Sequence, residues 1–299
     1  MTTSLLILGA TGFIGRRLVA RLQSSGAQIT ALVRNQEEAT KILGPQVALI
    51  DDLHDWPEGP LDAVINLAGA PIADKSWTEA RKTVLRGSRV GLTQRLVEVI
   101  KEQETKPKAL IQGSAIGFYP FEDDDQGMSE SSAPGGGYLA KLCQAWEAEA
   151  LAAQDLGLRV CLARTGLVLE SSGGALAKML PPFKFGLGGP LGTGRQWMSW
   201  IHLEDHVSAL IRLVSDPELS GPFNLCAPYP VRNQEFTRAL GRALGRSTPF
   251  RVPSWGLKIA LGERAQLLLG SQKVLPRRLE EAGFVFKYPR LEEAFNHIF

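Results

Sequence analysis

Three glycines, Gly9, Gly12 and Gly15, stand at a G-x-x-G-x-x-G spacing within Leu-Leu-Ile-Leu-Gly-Ala-Thr-Gly-Phe-Ile-Gly over 5–15. Each has its own task in phosphate chemistry. The first permits a tight turn, the second lets backbone approach a pyrophosphate, and the third lets a helix pack closely on a strand. Unpaired N–H groups at a helix start, with their partial positive charge, then receive the phosphates. Thr11, Phe13, Ile14 and Arg16 lie in or beside this turn and would border the bound group. An apolar strand before the turn and an amphipathic stretch from Arg16 to Ser24 after it favour a dinucleotide. A mononucleotide or methyl-donor site on the same fold, or a vestigial loop, are the alternatives.

Arg34 is the second position of chemical interest, at the end of Ala31-Leu32-Val33-Arg34-Asn35. Dinucleotide folds usually place an acid there to receive ribose hydroxyls. A carboxylate would repel a 2′-phosphate, whereas a guanidinium binds one with paired, charge-assisted hydrogen bonds. Arg34 therefore predicts NADP(H) over NAD(H), against the plainer reading of a solvated arginine at a strand end. Arg16 is a candidate second phosphate ligand. Asp52 and Leu53 are placed to meet the adenine amino group and ring face. Leu67, Ala68 and Gly69, following Asn66, are small or neutral enough for backbone to pass close to a cofactor.

These residues need a frame. Short, near-continuous apolar runs are expected as strands at Leu5–Leu8, Gln28–Val33, Val47–Ile50, Ala63–Leu67, Ala109–Gln112 and Arg159–Ala163. Helical stretches lie between them, notably Gly91–Lys101 and Tyr138–Gln154. Alternation of this kind predicts an α/β fold, a Rossmann-type doubly wound parallel sheet. Polar, glycine-rich loops are expected over 121–137 and 183–194. Beyond Gly221 helices joined by prolines predict a smaller, mainly helical substrate lobe. The expected division is therefore 1–221 and 222–299, with 165–200 contributing to the substrate cleft.

With 299 residues the chain can bury a large core, and 44% hydrophobic with 21% charged residues is ordinary for a globular protein. A net charge of +2 without a basic, aromatic-interleaved block argues against nucleic acid as a partner. Three cysteines with no C-x-x-C pair suit a reducing compartment, and no His/Cys/Asp cluster has metal-ligand spacing. No apolar run approaches a membrane span, and a first strand near residue 4 leaves no room for a signal peptide. The expectation is a cytoplasmic protein whose partner is a small molecule.

Several stretches resemble the extended short-chain dehydrogenases/reductases: the Gly9–Gly15 turn, Asn66–Gly69, Ser114 and Trp200-Ile201-His202-Leu203-Glu204-Asp205. Ala70-Pro71-Ile72-Ala73, Gly113–Tyr119, Arg164–Leu169 and Gly188–Gln196 are similar to an atypical branch, the epimerase family proteins. That branch is also described as cell-division-inhibitor-like nucleotide-sugar epimerases. Leu275-Pro276, Leu279 and Ala282-Gly283-Phe284 resemble its short terminal domain of unknown function, expected over 248–296. The resemblance runs from residue 4 to residue 296. It implies a Rossmann core, NADP(H), and oxidoreductase or epimerase chemistry on a carbonyl, hydroxyl or nucleotide-sugar substrate. By analogy a homodimer is a candidate assembly, with the Gly91–Lys101 helix as one candidate face.

The resemblance also implies a catalytic trio: a tyrosine and a lysine four apart on one helix, and a serine that polarises the substrate oxygen. Ser114 matches the serine. Tyr138 and Lys141 are three apart, and one missing position turns the pair by about 100°. Both cannot occupy the family positions on a regular helix. Lys141 is therefore expected at the cofactor ribose and Tyr138 as acid or base, with a catalytically degenerate, regulatory NADP(H)-binding protein as the alternative. Tyr119, Arg195 and Gln196 are expected at the substrate. His202 and Asp205 are read as structural, and His206 as exposed on its helix.

Overall fold

An apolar strand with no polar alternation must be covered on both faces, and the chain supplies the helices to do so. The computed structural model describes residues 3–123 and 125–299. Asp124, inside the loop expected over 121–137, lies outside the described residues.

Seven parallel strands form the sheet: β1 (Ser4–Leu8), β2 (Gln28–Leu32), β3 (Ala48–Ile50), β4 (Ala63–Asn66), β5 (Ala109–Ala115), β6 (Arg159–Thr165) and β10 (Gly221–Leu225). Their order is β10-β6-β5-β4-β1-β2-β3. Four short strands make two further pairs. β7 (Leu167–Leu169) runs parallel to β9 (Trp200–His202), and β8 (Trp197–Met198) is antiparallel to β11 (Val231–Arg232).

The helices of the first half are α1 (Phe13–Ser24), α2 (Gln36–Leu43), α3 (Glu79–Arg86), α4 (Leu92–Glu102) and α5 (Tyr138–Leu151). A π-helical turn, Gly87–Gly91, joins α3 to α4. Then follow α6 (Gly174–Lys184), α7 (Leu203–Ser215), α8 (Asn233–Ala243), α9 (Ser254–Leu261), α10 (Gln266–Leu269), α11 (Arg277–Glu281) and α12 (Leu291–Ile298). The pleat of β1 sorts its side chains to two cores. Leu5 and Ile7 join Leu18, Leu22, Val207 and Leu210 on one face, while Leu6 and Leu8 join Leu96, Val99 and Ile100 on the other.

Register brings the functional segments to one edge. Leu8 is level with Leu32 and Asn66, and Asn66 is level with Gln112. The glycine turn, Arg34, Leu67–Gly69 and Ser114 thus share the C-terminal edge of the sheet, where open α/β folds bind ligands. Among the described residues no helix is long and apolar enough to cross a membrane.

The strand β10 departs from the sequence expectation, which begins the helical lobe beyond Gly221. Its Gly-Pro start reads as a turn, yet β10 is the edge strand of the sheet, paired there with β6, where a missing N–H is tolerated. The lobe also draws α6 and β9 into its core, through Leu176, Leu180 and Trp200 beside Phe236, Leu240 and Phe295. The helix expected over Tyr138–Gln154 ends at Leu151 and passes into a 3-10 turn, Ala152–Leu156, closed by Gly157 at φ 85°.

Candidate functional site

At Gly9 the backbone takes φ +80°, and a Cβ there would lie 2.7 Å from the Leu67 carbonyl carbon. A Cβ on Gly15 would lie 2.1 Å from the Gly9 carbonyl oxygen and 2.8 Å from Ala10 Cα. Only glycine lets α1 start this close to β1. Gly12 caps α1 from extended backbone with no side chain in the way. The first bond of the helix runs from the Arg16 N–H to the Gly12 carbonyl at 3.0 Å. The N–H groups of Phe13, Ile14 and Gly15 are therefore left without a helical partner, and no acidic residue stands in the first turn. Thr11, Phe13 and Ile14 are half-buried along this turn. The Phe13 ring reaches across to the start of α6, touching the Gly173-Gly174 backbone that only glycine leaves open.

Arg34 sits two residues beyond β2, and both Arg34 and Arg16 are exposed. Among the described residues neither enters an ion pair, whereas the adjacent Arg17 is taken by Glu204 at 2.8 Å. Asn35 caps α2 by accepting from Glu38 N–H at 3.0 Å, which directs the chain away just past Arg34. Asp52 is exposed and accepts from His54 N–H, a bond that holds its carboxyl below the usual range. Leu53 is placed differently from a residue that offers its side chain to an adenine ring. Its side chain is packed into the core with Leu8, Val64 and Leu96.

The exit of β4 is fixed by Asn66. Its amide donates to Thr93 Oγ1 at 3.0 Å and Gln112 Oε1 at 3.1 Å, and its oxygen accepts from Ala68 N–H at 3.2 Å. This holds Leu67 and Ala68 against Gly9, with Gly69 exposed beyond them.

Ser114 does not present a free hydroxyl. It donates to Glu147 Oε1 at 2.6 Å, and both residues are buried. Glu147 in turn accepts two bonds from Arg164, from Nε and Nη2, each at 2.8 Å. Arg164 Nη1 donates to the Tyr119 hydroxyl at 2.9 Å, and Tyr119 donates to Asn224 Oδ1 at 2.7 Å. Burial pushes Tyr119 up to about 12. Tyr119 is expected at the substrate, but its hydroxyl is spent inside this network.

Tyr138 opens α5, its ring 5.4 Å from that of Trp77 with the Lys82 ammonium 5.3 Å from its centre. Its hydroxyl oxygen is buried and, among the described residues, has no hydrogen-bond partner. Burial raises its pKa. Lys141 is exposed. Among the described residues no hydrogen bond joins Ser114, Tyr138 and Lys141, so the implied trio is not assembled by direct contact.

Gln196 is buried and donates to the Leu191 and Leu268 carbonyls, both at 3.1 Å, so its amide closes the loop rather than facing a substrate. Arg195 is exposed. Two recesses of about 510 and 110 Å³ share Phe121 and Gln266 and run from α9–α10 to the Gly135–Gly137 entry into α5.

His202 caps α7, accepting from Glu204 N–H at 3.0 Å, and Asp205 accepts from Lys287 and Tyr288 N–H at 2.7 and 2.9 Å. His206, expected to be exposed, is fully buried beside Thr165 at 3.0 Å, because α7 is packed on more than one face. Among the described residues no group of three or more His, Cys, Asp or Glu side chains is placed to hold a metal ion.

Sequence reasoning passed over Glu147, Arg164 and Arg89. Arg164 left a signal, being a charge inside the apolar run Val160–Ala163 and Gly166–Leu169. Glu147 left none, since Glu149 is equally placed in the same alanine-rich stretch.

The chain has clear relatives. The model of the NAD dependent epimerase/dehydratase family matches residues 5–226, and that of a domain of unknown function, DUF1731, matches residues 252–298. The chain is 40% identical over 307 residues to the chloroplastic epimerase family protein SDR39U1 homolog of Arabidopsis thaliana, covering 100% of this chain and 86% of that protein. It is 41% identical over 302 residues to an epimerase family protein of Mycobacterium leprae, covering 97% and 94%. The crystal structure of human epimerase family protein SDR39U1 (isoform 2) with NADPH superposes with a TM-score of 0.91 at 33% identity, covering 99% of each chain. A UDP-galactose 4-epimerase, at 18% identity and TM-score 0.73 over 98% and 97% of the two chains, shares the fold alone. This chain, with its Rossmann-like sheet and glycine turn, belongs to the NAD dependent epimerase/dehydratase family as an epimerase family protein of the extended short-chain dehydrogenase/reductase type.

Proposed function

We propose that the chain is an NADP(H)-dependent oxidoreductase or epimerase acting on a small substrate with a hydroxyl or carbonyl group. One observation carries the reading: a cradle that a Cβ at Gly9 or Gly15 would fill, with Arg16 on the first turn of α1 and Arg34 just past β2 both exposed and, among the described residues, in no ion pair. The backbone of Gly9–Gly15 would hold the diphosphate, Arg34 and Arg16 the 2′-phosphate, and the backbone of Leu67–Gly69 the far side of the dinucleotide. The human relative crystallised with NADPH supports this choice of cofactor. NADP(H), when bound, gives or takes a hydride at its nicotinamide ring.

The chain's own contribution is proton handling. Tyr138 holds a buried hydroxyl with no partner among the described residues, so its proton is free to pass to or from a substrate oxygen. Lys141, exposed on the first turn of α5, is the proposed ribose contact. Ser114, engaged by Glu147, fixes the end of β5 instead of polarising a substrate. Arg195 would meet the substrate from the glycine-rich loop.

A second reading rests on that engagement of Ser114 and on the Tyr138/Lys141 spacing: a regulatory NADP(H)-binding protein without turnover. Screening carbonyl, alcohol and nucleotide-sugar substrates, with reduced nicotinamide absorbance and product analysis as readouts, separates the two. The enzyme reading expects turnover that Tyr138→Phe lowers by about 100-fold or more. Tight NADPH binding with no turnover across the panel leaves the regulatory reading.

A further inference from the structure

The π-helical turn Gly87–Gly91 interrupts what would otherwise be one helix from Glu79 to Glu102. Such turns are uncommon and frequently lie at functional sites. This one carries Arg89, which is half-buried. The guanidinium stands 5.3 Å from the centre of the Trp146 ring, and a Cβ on Gly69 would meet it at 3.1 Å. Its hydrogen bond to protein is a long one, from Nη1 to the Leu85 carbonyl at 3.4 Å.

Half-buried Arg159 also lacks a carboxylate among the described residues but is satisfied by the Leu213, Leu219 and Val214 carbonyls at 2.9, 2.7 and 3.1 Å, and two other shielded arginines are neutralised. Arg164 is held by Glu147, and Arg232 by Asp123 and Asp125. Among the described residues no carboxylate lies within ion-pairing distance of Arg89. Burial draws its pKa below the usual arginine value, as expected for a cation lacking a counter-charge.

The position of Arg89 follows from strand order. With the 2′-phosphate at Arg34 beyond β2 and the diphosphate at the turn after β1, a dinucleotide extends its other half toward β4 and β5. Gly69 and Ala70 lead that way, and the Ala70 N–H is held by Ser88 Oγ, on the same π turn, at 3.0 Å. Tyr138, with its unpartnered hydroxyl, is near enough to feel the Arg89 charge. Arg89 and Tyr138 therefore converge on the substrate end of the cleft.

We propose that Arg89 is the substrate-recognition residue of this cleft and that it takes an oxyanion, a carboxylate or a phosphate, carried by the substrate. The guanidinium supplies paired, coplanar donors for such a group, and Trp146 backs its face. The proposal rests on the NADP(H) reading above and adds to it a substrate class.

The test uses the NADPH-loaded chain and follows the emission of the reduced nicotinamide. Acetate, malonate, methyl phosphate and inorganic phosphate are titrated in turn, with acetamide as the uncharged control. Saturable binding of either anion class, absent with acetamide, is expected, and the tighter class names the group. Arg89→Gln should weaken that anion by about tenfold or more while NADPH affinity stays within about twofold. Arg89→Lys, which keeps the cation, should bind the anion more tightly than Arg89→Gln and guards against a folding defect. The proposal is overturned if no anion saturates, or if Arg89→Gln binds it as well as the parent chain. A tenfold loss of NADPH affinity in a folded Arg89→Gln also overturns it, since the guanidinium then serves the cofactor. If NADPH does not bind the parent chain at all, the cofactor reading falls and this proposal with it.

Discussion

The Ser114 hydroxyl donates to Glu147 at 2.6 Å, and the same carboxylate holds Arg164 by two bonds of 2.8 Å. The three side chains tie β5, α5 and β6 together below the cleft. Arg164 also lies 3.5 Å from the centre of the Phe118 ring, which shields it further. Removing one partner of such a pair strands a buried charge. Glu147→Gln is expected to destabilise the fold by about 3–5 kcal/mol. Ser114→Ala, losing one hydrogen bond to a charged group, should cost about 1.5–3 kcal/mol. Denaturant unfolding of both variants checks this. Equal, negligible losses would show that Ser114 is not anchored by Glu147.

Gly15→Ala tests the cradle. The added methyl would meet rigid backbone, the Gly9 carbonyl oxygen at 2.1 Å, so α1 must move off β1. Overpacking of this kind costs about 1–3 kcal/mol. NADPH affinity should fall by about tenfold or more, because the N–H groups that meet the diphosphate shift with the helix. Isothermal titration of NADPH into the folded variant measures that loss. Undiminished affinity would place the dinucleotide elsewhere.

What the sequence made legible was local. Gly12 and Gly15 answer steric demands set by Gly9 and Ala10 within the same turn, Gly9 one set by Leu67 and Ala68 beyond β4, and Leu5–Leu8 of β1 are apolar. The place of Arg34, exposed just past the end of β2, was legible in the same way. The Ser114–Glu147 contact spans 33 positions and joins two elements whose facing sides no spacing reveals. Arg89 was hidden by the π turn, since one added residue breaks the 3.6-residue period that assigns helix faces. His206 is read as exposed on its helix, yet α7 buries it together with Asp205 and Val207. β10 was masked by Gly221-Pro222, which resembles a turn when no partner strand is known.

Buried histidines set the response to acid. Burial draws His206 down to about 3, and among the described residues its Nδ1 has no partner. An unfolded histidine titrates at about 6.5. Below that pH the unfolded chain takes up a proton that the folded chain refuses, so stability present above it is lost as pH falls. At about pH 5 the loss from His206 is about 2 kcal/mol. His202, drawn down to about 4 by burial and then by the His297 charge, acts in the same direction. Unfolding free energies at neutral pH and at about pH 5 should show the fall, and His206→Gln should flatten it. An unchanged slope in that variant would contradict the assignment.

Lys141 is exposed, and no ion pair among the described residues engages it. Lys141→Ala should therefore leave stability within about 0.5 kcal/mol of the parent. If the lysine meets the ribose, NADPH affinity drops while the melting temperature holds. A variant that melts like the parent and binds NADPH equally well removes Lys141 from the cofactor site.

The central claim is that a guanidinium at the end of β2 selects the phosphorylated dinucleotide. Quenching of the native tryptophans, followed as NADPH and then NADH is added to the parent chain and to Arg34→Ala, tests it directly. The account predicts much tighter binding of NADPH by the parent chain and loss of most of that preference in the variant, with NADH affinity little changed. Equal affinities for the two dinucleotides in the parent chain, or a preference that survives in Arg34→Ala, would contradict it.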